Sequence, residues 1–305
     1  MKAVILVNQS GGSAGDDACA RVTAVLRAVG IEGEVELVAG EQLAERATAA
    51  VKAGAPAVIA AGGDGTLSAV AGALAGSDTA LGILPLGTLN HLARDLRISF
   101  DLGEAAATIA VGRRQKIDLA SLNGRLFVNN SAIGLYPLMV ADREGQQQRQ
   151  GRSKRLAMAV AGLRTLARFH HHRLTLTVND GGAQIIETPL LFVGNNDYRL
   201  DLAGAGQRDS ISDGRLCVMV LRRTGRLGFF AAMVRALFKR SRPDDMIKLD
   251  GVERLQVASR RSRLTVSCDG ETIDLPPPLD YRIMPRALTV LAPDRPPRAS
   301  STANT

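Results

Sequence analysis

Through its first hundred residues the chain alternates short apolar runs with alanine-rich stretches of helical length, the rhythm of a parallel sheet with helical crossovers. The apolar runs fall at about 2–8, 33–38, 56–61 and 80–85 and are read as strands, with helices near 16–29, 41–53, 65–75 and 89–96. Asp101 and Glu104 have the spacing of a capping box that opens one more helix, through Val111. From Gln115 onward the rhythm changes. Lys116–Leu122, Leu126–Ile133, Arg173–Val178, Ile185–Val193, Leu216–Leu221, Leu255–Val257, Leu264–Cys268 and Ala287–Leu291 recur with few helical stretches between them, the pattern of a mostly antiparallel β domain. A chain of 305 residues is long enough for two cores. The expected organisation is an α/β domain with a parallel sheet over residues 1–118 and a β-rich domain over 119–286. A strand near 287–292 is expected to return to the first domain, and 293–305, which opens Pro293-Asp294-Arg295-Pro296-Pro297, is expected to be a disordered tail.

Charge narrows the partners. Residues 1–112 hold 7 Lys/Arg against 12 Asp/Glu, and the remaining residues hold 31 against 18, so the whole excess of +8 sits in the second half. That half is expected to face an anionic surface. Nucleic acid is not the expected partner: aromatics are 3% with no Trp, too few rings for a single-strand stacking groove. Cys19, Cys217 and Cys268 are far apart and never form C-x-x-C, which suggests neither a disulfide framework nor a zinc knuckle and fits a reducing cytoplasm. No run approaches the roughly 20 apolar residues of a spanning helix.

Two basic, apolar segments suit a bilayer surface. Arg222–Arg242 holds seven bases and no acid around Leu227, Phe229, Phe230, Met233, Val234, Leu237 and Phe238; Arg143–Arg173 holds eight bases and Glu144 around Leu156, Val160, Leu163 and Leu166. A packed helix with solvated ends fits the first equally well. His170-His171-His172 reads as a solvated helix end rather than a metal cluster, because neighbouring helical residues diverge around the axis.

Three polar loops share one position relative to the proposed strands: Asn8-Gln9-Ser10-Gly11-Gly12 after the first, Gly62-Gly63-Asp64-Gly65-Thr66 after the third and Pro85-Leu86-Gly87-Thr88-Leu89-Asn90 after the fourth. In an open parallel sheet those strand ends share one edge, where ligands bind. Glycine lets the backbone approach an anion closely, helix N-termini supply N–H donors, and Ser10, Thr66 and Thr88 add hydroxyls, so the composition suits phosphate. Neither a Walker loop, a complete dinucleotide fingerprint, a kinase H-R-D set nor a G-x-S-x-G elbow is present. A carboxylate among phosphates, as at Asp64, is repulsive unless it holds Mg²⁺ or takes a proton from a nucleophile. Both roles belong to phosphoryl transfer.

Taken with Phe127-Val128-Asn129-Asn130-Ser131-Ala132-Ile133-Gly134 and Asp269-Gly270-Glu271, these loops make the chain resemble the diacylglycerol-kinase catalytic-domain family, in its bacterial lipid-kinase branch, from residue 2 to about 292. The resemblance implies an NAD kinase-like α/β domain, a C-terminal β-sandwich and a cleft where ATP meets a lipid hydroxyl. It implies an ATP- and Mg²⁺-dependent enzyme, cytoplasmic and peripheral at the inner face of the membrane, and leaves a homodimer open. Nucleotide would be bound by Asn8, Ser10, Gly11, Gly62, Gly63, Asp64, Gly65, Thr66, Leu67, Ser68, Gly87, Thr88 and Asn90. Glu271 would accept the proton, a role Asp64 could also fill, and Asp64, Asp118 and Asp269 would belong to the Mg²⁺–water network. A further metal site would use Ser210, Asp213 and Arg215.

The chain departs from the family pattern in three places. Asn90-His91 stands where Asn-Asp is common, Ser68-Ala69 where Asn-Glu is common, and Val38 where a Thr is expected. These changes bear on nucleotide and lipid preference more than on reaction class, because the acids at 64, 118, 269 and 271 are kept. A soluble-substrate kinase of the NAD-kinase kind and a catalytically silent binding regulator are the rival readings.

Overall fold

The computed structural model describes residues 2–9, 16–134, 171–199, 207–208, 210–222 and 246–294. Its first part is a run of parallel strands, β1 (Lys2–Asn8), β2 (Glu32–Val38), β3 (Ala57–Gly62) and β4 (Ala80–Pro85), connected through α1 (Asp16–Ala28), α2 (Leu43–Lys52) and α3 (Asp64–Leu74). Then come α4 (His91–Asp95) and α5 (Leu102–Val111). Every residue of β3 and β4 is buried, which is why both are continuous apolar runs rather than alternating ones. β2 lies at the sheet's edge with Glu32, Glu34 and Glu36 at alternate positions, and like charges there discourage pairing with another chain. Asp101 caps α5 by accepting from Glu104 N at 3.0 Å, the bond its spacing implies.

The remaining strands are β5 (Arg113–Leu122), β6 (Arg125–Phe127), β7 (Asn130–Gly134), β8 (His172–Val178), β9 (Gln184–Thr188), β10 (Leu190–Asn195), β11 (Tyr198–Arg199), β12 (Gln207–Arg208), β13 (Leu216–Leu221), β14 (Met246–Val252), β15 (Arg254–Ser259), β16 (Leu264–Cys268), β17 (Glu271–Leu275) and β18 (Leu279–Ala292). The large sheet runs β2-β1-β3-β4-β18-β15-β8-β9, with β5 on β18 and β6 on β5. A second sheet, β14-β13-β10-β7-β16-β17, is antiparallel throughout. The fold is thus an α/β unit with a parallel sheet, followed by an antiparallel two-sheet unit. One core joins the helices to β1, β3 and β4; a second, with Phe127, Ile133, Leu191, Val218, Val266 and Tyr281, fills the space between the two sheets, and a smaller cluster gathers Phe192, Tyr198, Cys217 and Met219.

β18 serves both units. Tyr281–Met284 and Leu288–Ala292 pair antiparallel with β5, Val290 touches β4 in parallel at Leu81, and Leu279–Arg282 pair antiparallel with β15. The ladder with β5 slips between Met284 and Leu288, and at that irregularity Asp118 Oδ1 accepts the N–H of Arg286, a left-handed residue (φ 54°), at 2.8 Å. A buried carboxylate therefore takes a donor that the ladder leaves over.

The structure corrects several sequence expectations. Leu126–Ile133 is two strands rather than one, because a side-chain carboxylate described below takes the N–H groups of Val128, Asn129 and Asn130. Ile185–Val193 is broken at Pro189, which has no N–H, and Thr188 Oγ1 accepts from Leu190 N instead. His172 opens β8 and is 8% exposed, so it is a buried strand residue and not a solvated helix end. β14, Met246–Val252, carries only a short alternation of apolar and polar residues, Ile247 to Asp250, and so little strand signal in its sequence. Most of the basic segments 143–173 and 222–242, and residues 295–305, lie outside the described residues. Among the described residues no helix is long and apolar enough to cross a membrane.

Candidate functional site

The strand order β2-β1-β3-β4 places a topological switch at the C-terminal ends of β1 and β3, where the connections leave in opposite directions and open a crevice. Asn8 ends β1, and its Nδ2 donates to Thr66 Oγ1 at 2.7 Å, across the switch point. Close approach explains the glycines. A Cβ on Gly62 would lie 2.3 Å from Thr66 Oγ1, and one on Gly87 would lie 2.4 Å from Gly63 Cα, so the second and third loops touch backbone to backbone. Gly63 precedes α3 without a side-chain cap, which leaves first-turn N–H groups of that helix for a ligand.

Asp64 links the same two loops: its Oδ1 accepts from His91 N at 2.7 Å. Asn90, left-handed at φ 48°, folds its amide back onto Gly87, with Nδ2 to Gly87 O at 2.7 Å and Gly87 N to Oδ1 at 3.1 Å. It is 3% exposed, so it shapes the loop from within, while Thr88 at the tip is exposed. Leu67 is a correction. Leu67, Val70, Ala71 and Leu74 form the buried face of α3 at helical spacing, which puts the Leu67 side chain in the core and not in the crevice. Ser10 and Gly11 lie outside the described residues.

The second half of the chain reaches the crevice through the β16–β17 turn. Asp269 (φ 46°) and Gly270 (φ 89°) form the two-residue turn their sequence favours. The Asp269 carboxylate accepts from Val128 N at 2.7 Å, Asn129 N at 2.8 Å, Asn130 N at 3.1 Å and the Ser68 hydroxyl. Burial pushes this carboxyl above its ordinary range, a shift that the four donors offset only in part. Acting only as an acceptor, it joins α3, the β6–β7 loop and the β16–β17 turn.

Glu271 stands next to it, 64% exposed and ion-paired with Arg125. Gly65, Ser68, Asp269, Glu271, Arg125 and Cys268 line one open cleft of ≈ 420 Å³ between the two halves, floored by Ala69, Gly72 and Ala73 of α3 and by Ala44 and Thr48 of α2. Burial pushes the Cys268 thiol up to about 12, so it lines the cleft as a neutral group.

Asp118 is placed elsewhere. It is 1% exposed, and its two oxygens are taken by backbone donors, Oδ1 by Arg286 N and Oδ2 by Gly214 N at 2.7 Å; neither it nor Asp64 is among the residues lining the cleft. Asp118 N donates to Ile211 O, and Asn196 Oδ1 accepts from Asp213 N, so Asp118 and the Ser210–Arg215 loop form one unit. Arg215 O is already bonded to Asn196 N. Among the described residues no cluster of three His, Cys, Asp or Glu side chains could hold a metal ion. A Mg²⁺ that keeps waters and substrate phosphates needs only one or two protein carboxylates, and half-buried Asp64 at the mouth of the glycine loops fits that requirement.

Sequence reasoning missed Arg208. Its guanidinium side chain is 1% exposed and pairs with Asp95 at 2.6 Å; it also donates to Val128 O at 2.7 Å, Asn195 O at 3.3 Å and Asn129 Oδ1 at 3.3 Å, and lies 5.4 Å from the Tyr198 ring centroid. Tyr198 Oη donates to Asn129 O at 2.9 Å. The Val128–Asn130 loop is therefore clamped by Asp269 on one side and by Arg208 and Tyr198 on the other. Gln207-Arg208-Asp209 has no apolar periodicity, and only its neighbours in space distinguish it from an ordinary surface.

Comparison with known proteins agrees with this layout. The diacylglycerol kinase catalytic domain profile matches residues 2–122, and that of the YegS C-terminal NAD kinase β-sandwich-like domain matches residues 139–292. Among curated relatives, a "Probable lipid kinase YegS-like" of Klebsiella pneumoniae (strain 342) is 49% identical over 79 residues, 25% of this chain and 27% of that protein. A "Diacylglycerol kinase" of Staphylococcus aureus (strain Newman) is 40% identical over 79 residues, 25% of each chain. The matched stretch thus spans about a quarter of the length of these relatives. The fold resembles a diacylglycerol kinase crystal structure from Bacillus anthracis str. Sterne (TM-score 0.68, 20% identity, 95% of this chain and 96% of that one). It also resembles an NAD kinase from Archaeoglobus fulgidus in complex with ATP (TM-score 0.54, 14% identity, 96% and 94%).

Proposed function

The chain belongs to the lipid-kinase family defined by the diacylglycerol kinase catalytic domain and the YegS-type C-terminal β-sandwich, and from that premise we propose that it transfers the γ-phosphoryl group of ATP to the hydroxyl of a diacylglycerol-like lipid. The observation that carries this reading is the cleft that Gly65 and Ser68 at the start of α3 line together with Glu271 at the start of β17. Phosphate oxygens would lie against the glycine loops and the first turn of α3. Asp64 would hold Mg²⁺, which supplies charge neutralisation of the phosphoryl oxygens. Glu271 would accept the proton as the lipid oxygen bonds to phosphorus, a contribution of roughly 10²–10⁴-fold. Asp269 and Asp118 support this arrangement as anchors, since their oxygens are occupied by backbone N–H groups. We further propose that the protein acts from the cytoplasm at an anionic membrane surface, a reading supported by the excess of bases in its second half.

Phosphate transfer from γ-labelled ATP into a total lipid extract, with Asp64→Asn as control, tests the reaction. Labelled lipid with the wild-type chain and none with the variant is expected. Label appearing in NAD instead would establish the soluble-substrate reading, and ATP binding with no transfer to either would establish a silent regulator. Co-sedimentation with vesicles that contain or lack anionic lipid tests the membrane reading; equal binding to both would refute it.

A further inference from the structure

A triphosphate brings several negative charges into the cleft, yet among the described residues lining it only Arg125 is a cation. Its position is fixed by the backbone. Asn123 (φ 50°) and Gly124 (φ 83°) form a tight turn between β5 and β6, the Asn-Gly pair suited to such a hairpin. That turn is tied to β18, with Asn123 N donating to Asp280 O at 2.9 Å and Asp280 N donating to Asn123 Oδ1 at 2.7 Å. β6 in turn lies on α3: a Cβ on Gly72 would sit 3.9 Å from Leu126 Cβ. Arg125 therefore projects from a rigid support beside the helix that carries the glycine loop.

The guanidinium of Arg125 is paired with Glu271, and the two side chains are 49% and 64% exposed. Such a pair has two consequences. It keeps Glu271 Oε2 occupied by an N–H donor, so that oxygen is not open to an incoming hydroxyl. It is also weak, because exposed ion pairs gain little over solvent and here one donor, Arg125 Nη2, reaches Glu271 Oε2, whereas guanidinium and phosphate can bond through two parallel N–H donors.

We infer that Arg125 is a switching cation. It holds Glu271 until a nucleoside triphosphate enters, then moves to the terminal phosphoryl oxygens and releases Glu271 to act. This rests on the kinase reading above. In the step that follows, the hydroxyl oxygen bonds to the γ-phosphorus, its proton passes to Glu271, and the bond from phosphorus to the β,γ-bridging oxygen breaks, with the electron pair leaving on the diphosphate. Arg125 stabilises the charge on the transferring group, and the exchange of partners couples triphosphate binding to release of the proton acceptor.

Calorimetric binding of a non-hydrolysable ATP analogue and of AMP to the full chain tests this without any acceptor lipid. Arg125→Gln is expected to weaken the triphosphate analogue by about tenfold or more and to leave AMP unchanged, with Arg125→Lys restoring part of the loss. Glu271→Gln, which removes the competitor, is expected to tighten the analogue by up to about fivefold, and that gain should vanish in the Arg125→Gln background. A gain that persists in that background would be charge repulsion alone and would overturn the switch, as would equal losses for AMP and the analogue. A wild-type chain that binds the analogue while the variants match it overturns this inference only. A wild-type chain that binds neither ligand removes the ATP reading along with it.

Discussion

Asp269 is the residue at which anchor and catalyst can be told apart by measurement. Its carboxylate satisfies three backbone N–H groups and the Ser68 hydroxyl, and it occupies a left-handed position. In Asp269→Ala the three N–H groups lose their acceptor, at about 1–3 kcal/mol each, and a non-glycine residue without local hydrogen bonding adds about 1 kcal/mol of backbone strain. The sum, about 4–10 kcal/mol, is comparable with the total stability of an ordinary domain, about 5–15 kcal/mol. Asp269→Asn is gentler. Asn tolerates this φ, and its carbonyl oxygen can keep the pair from Asn129 and Asn130, but its NH₂ then faces the N–H of Val128. One orphaned donor costs about 1–3 kcal/mol, which lowers Tm by roughly 2–12 °C at about 2–4 °C per kcal/mol. Ser68→Ala removes a single half-buried bond and should cost about 1 kcal/mol. Scanning calorimetry of the three variants should therefore rank them Ala, Asn, Ser68→Ala in order of loss, with phosphate transfer falling in step. If Asp269→Asn melts with the wild type and yet transfers no phosphate, the carboxylate works on the reacting groups and the anchoring argument fails.

Arg208→Met should destabilise by about 3–5 kcal/mol, since it leaves Asp95, 10% exposed, without its cation; adding Asp95→Leu should recover part of the loss, and chemical denaturation of both variants measures it. Gly87→Ala should abolish phosphate transfer while Gly63→Ala reduces it, because the added Cβ would lie 2.4 Å from backbone in the first and 3.3 Å in the second; equal activity would show that the loops are free to separate. Partial burial alone would raise Asp280, but hydrogen bonds from Arg282 and Arg254, with their charges, hold it below the ordinary carboxylate value. A lowered folded value stabilises above the unfolded value of about 3.9 and loses that effect as pH falls through the folded one. The Tm gap between wild type and Asp280→Asn should thus be open at neutral pH and narrow as pH falls below the unfolded value of about 3.9, and a gap unchanged with pH would remove the ion pairs as its source.

The parallel strands were legible because burial on both faces demands continuous apolar residues, as in Ala57–Gly62 and Ala80–Pro85, and the glycine loops follow those strands directly. The Asp101–Glu104 cap was legible for a similar reason: its bond forms within one turn of chain. Leu67 misled because a motif is contiguous in sequence whereas a helix turns its residues to different faces. The break in Leu126–Ile133 was invisible, since its cause, the carboxylate of Asp269, comes 139 to 141 residues later.

What the amino-acid order determined by itself was local: strand and helix periods, caps, tight turns, and the presence of acids and glycines suited to phosphate. The tertiary structure decided what each acid is attached to. Asp64, Asp118, Asp269 and Glu271 are one residue type or nearly so, and their differences come from donors supplied by distant segments: His91 N, the backbone of 214 and 286, the loop at 128–130, and Arg125. A carboxylate's role depends on the charges and N–H groups within about 3 Å of it, and that shell is assembled only when the chain folds.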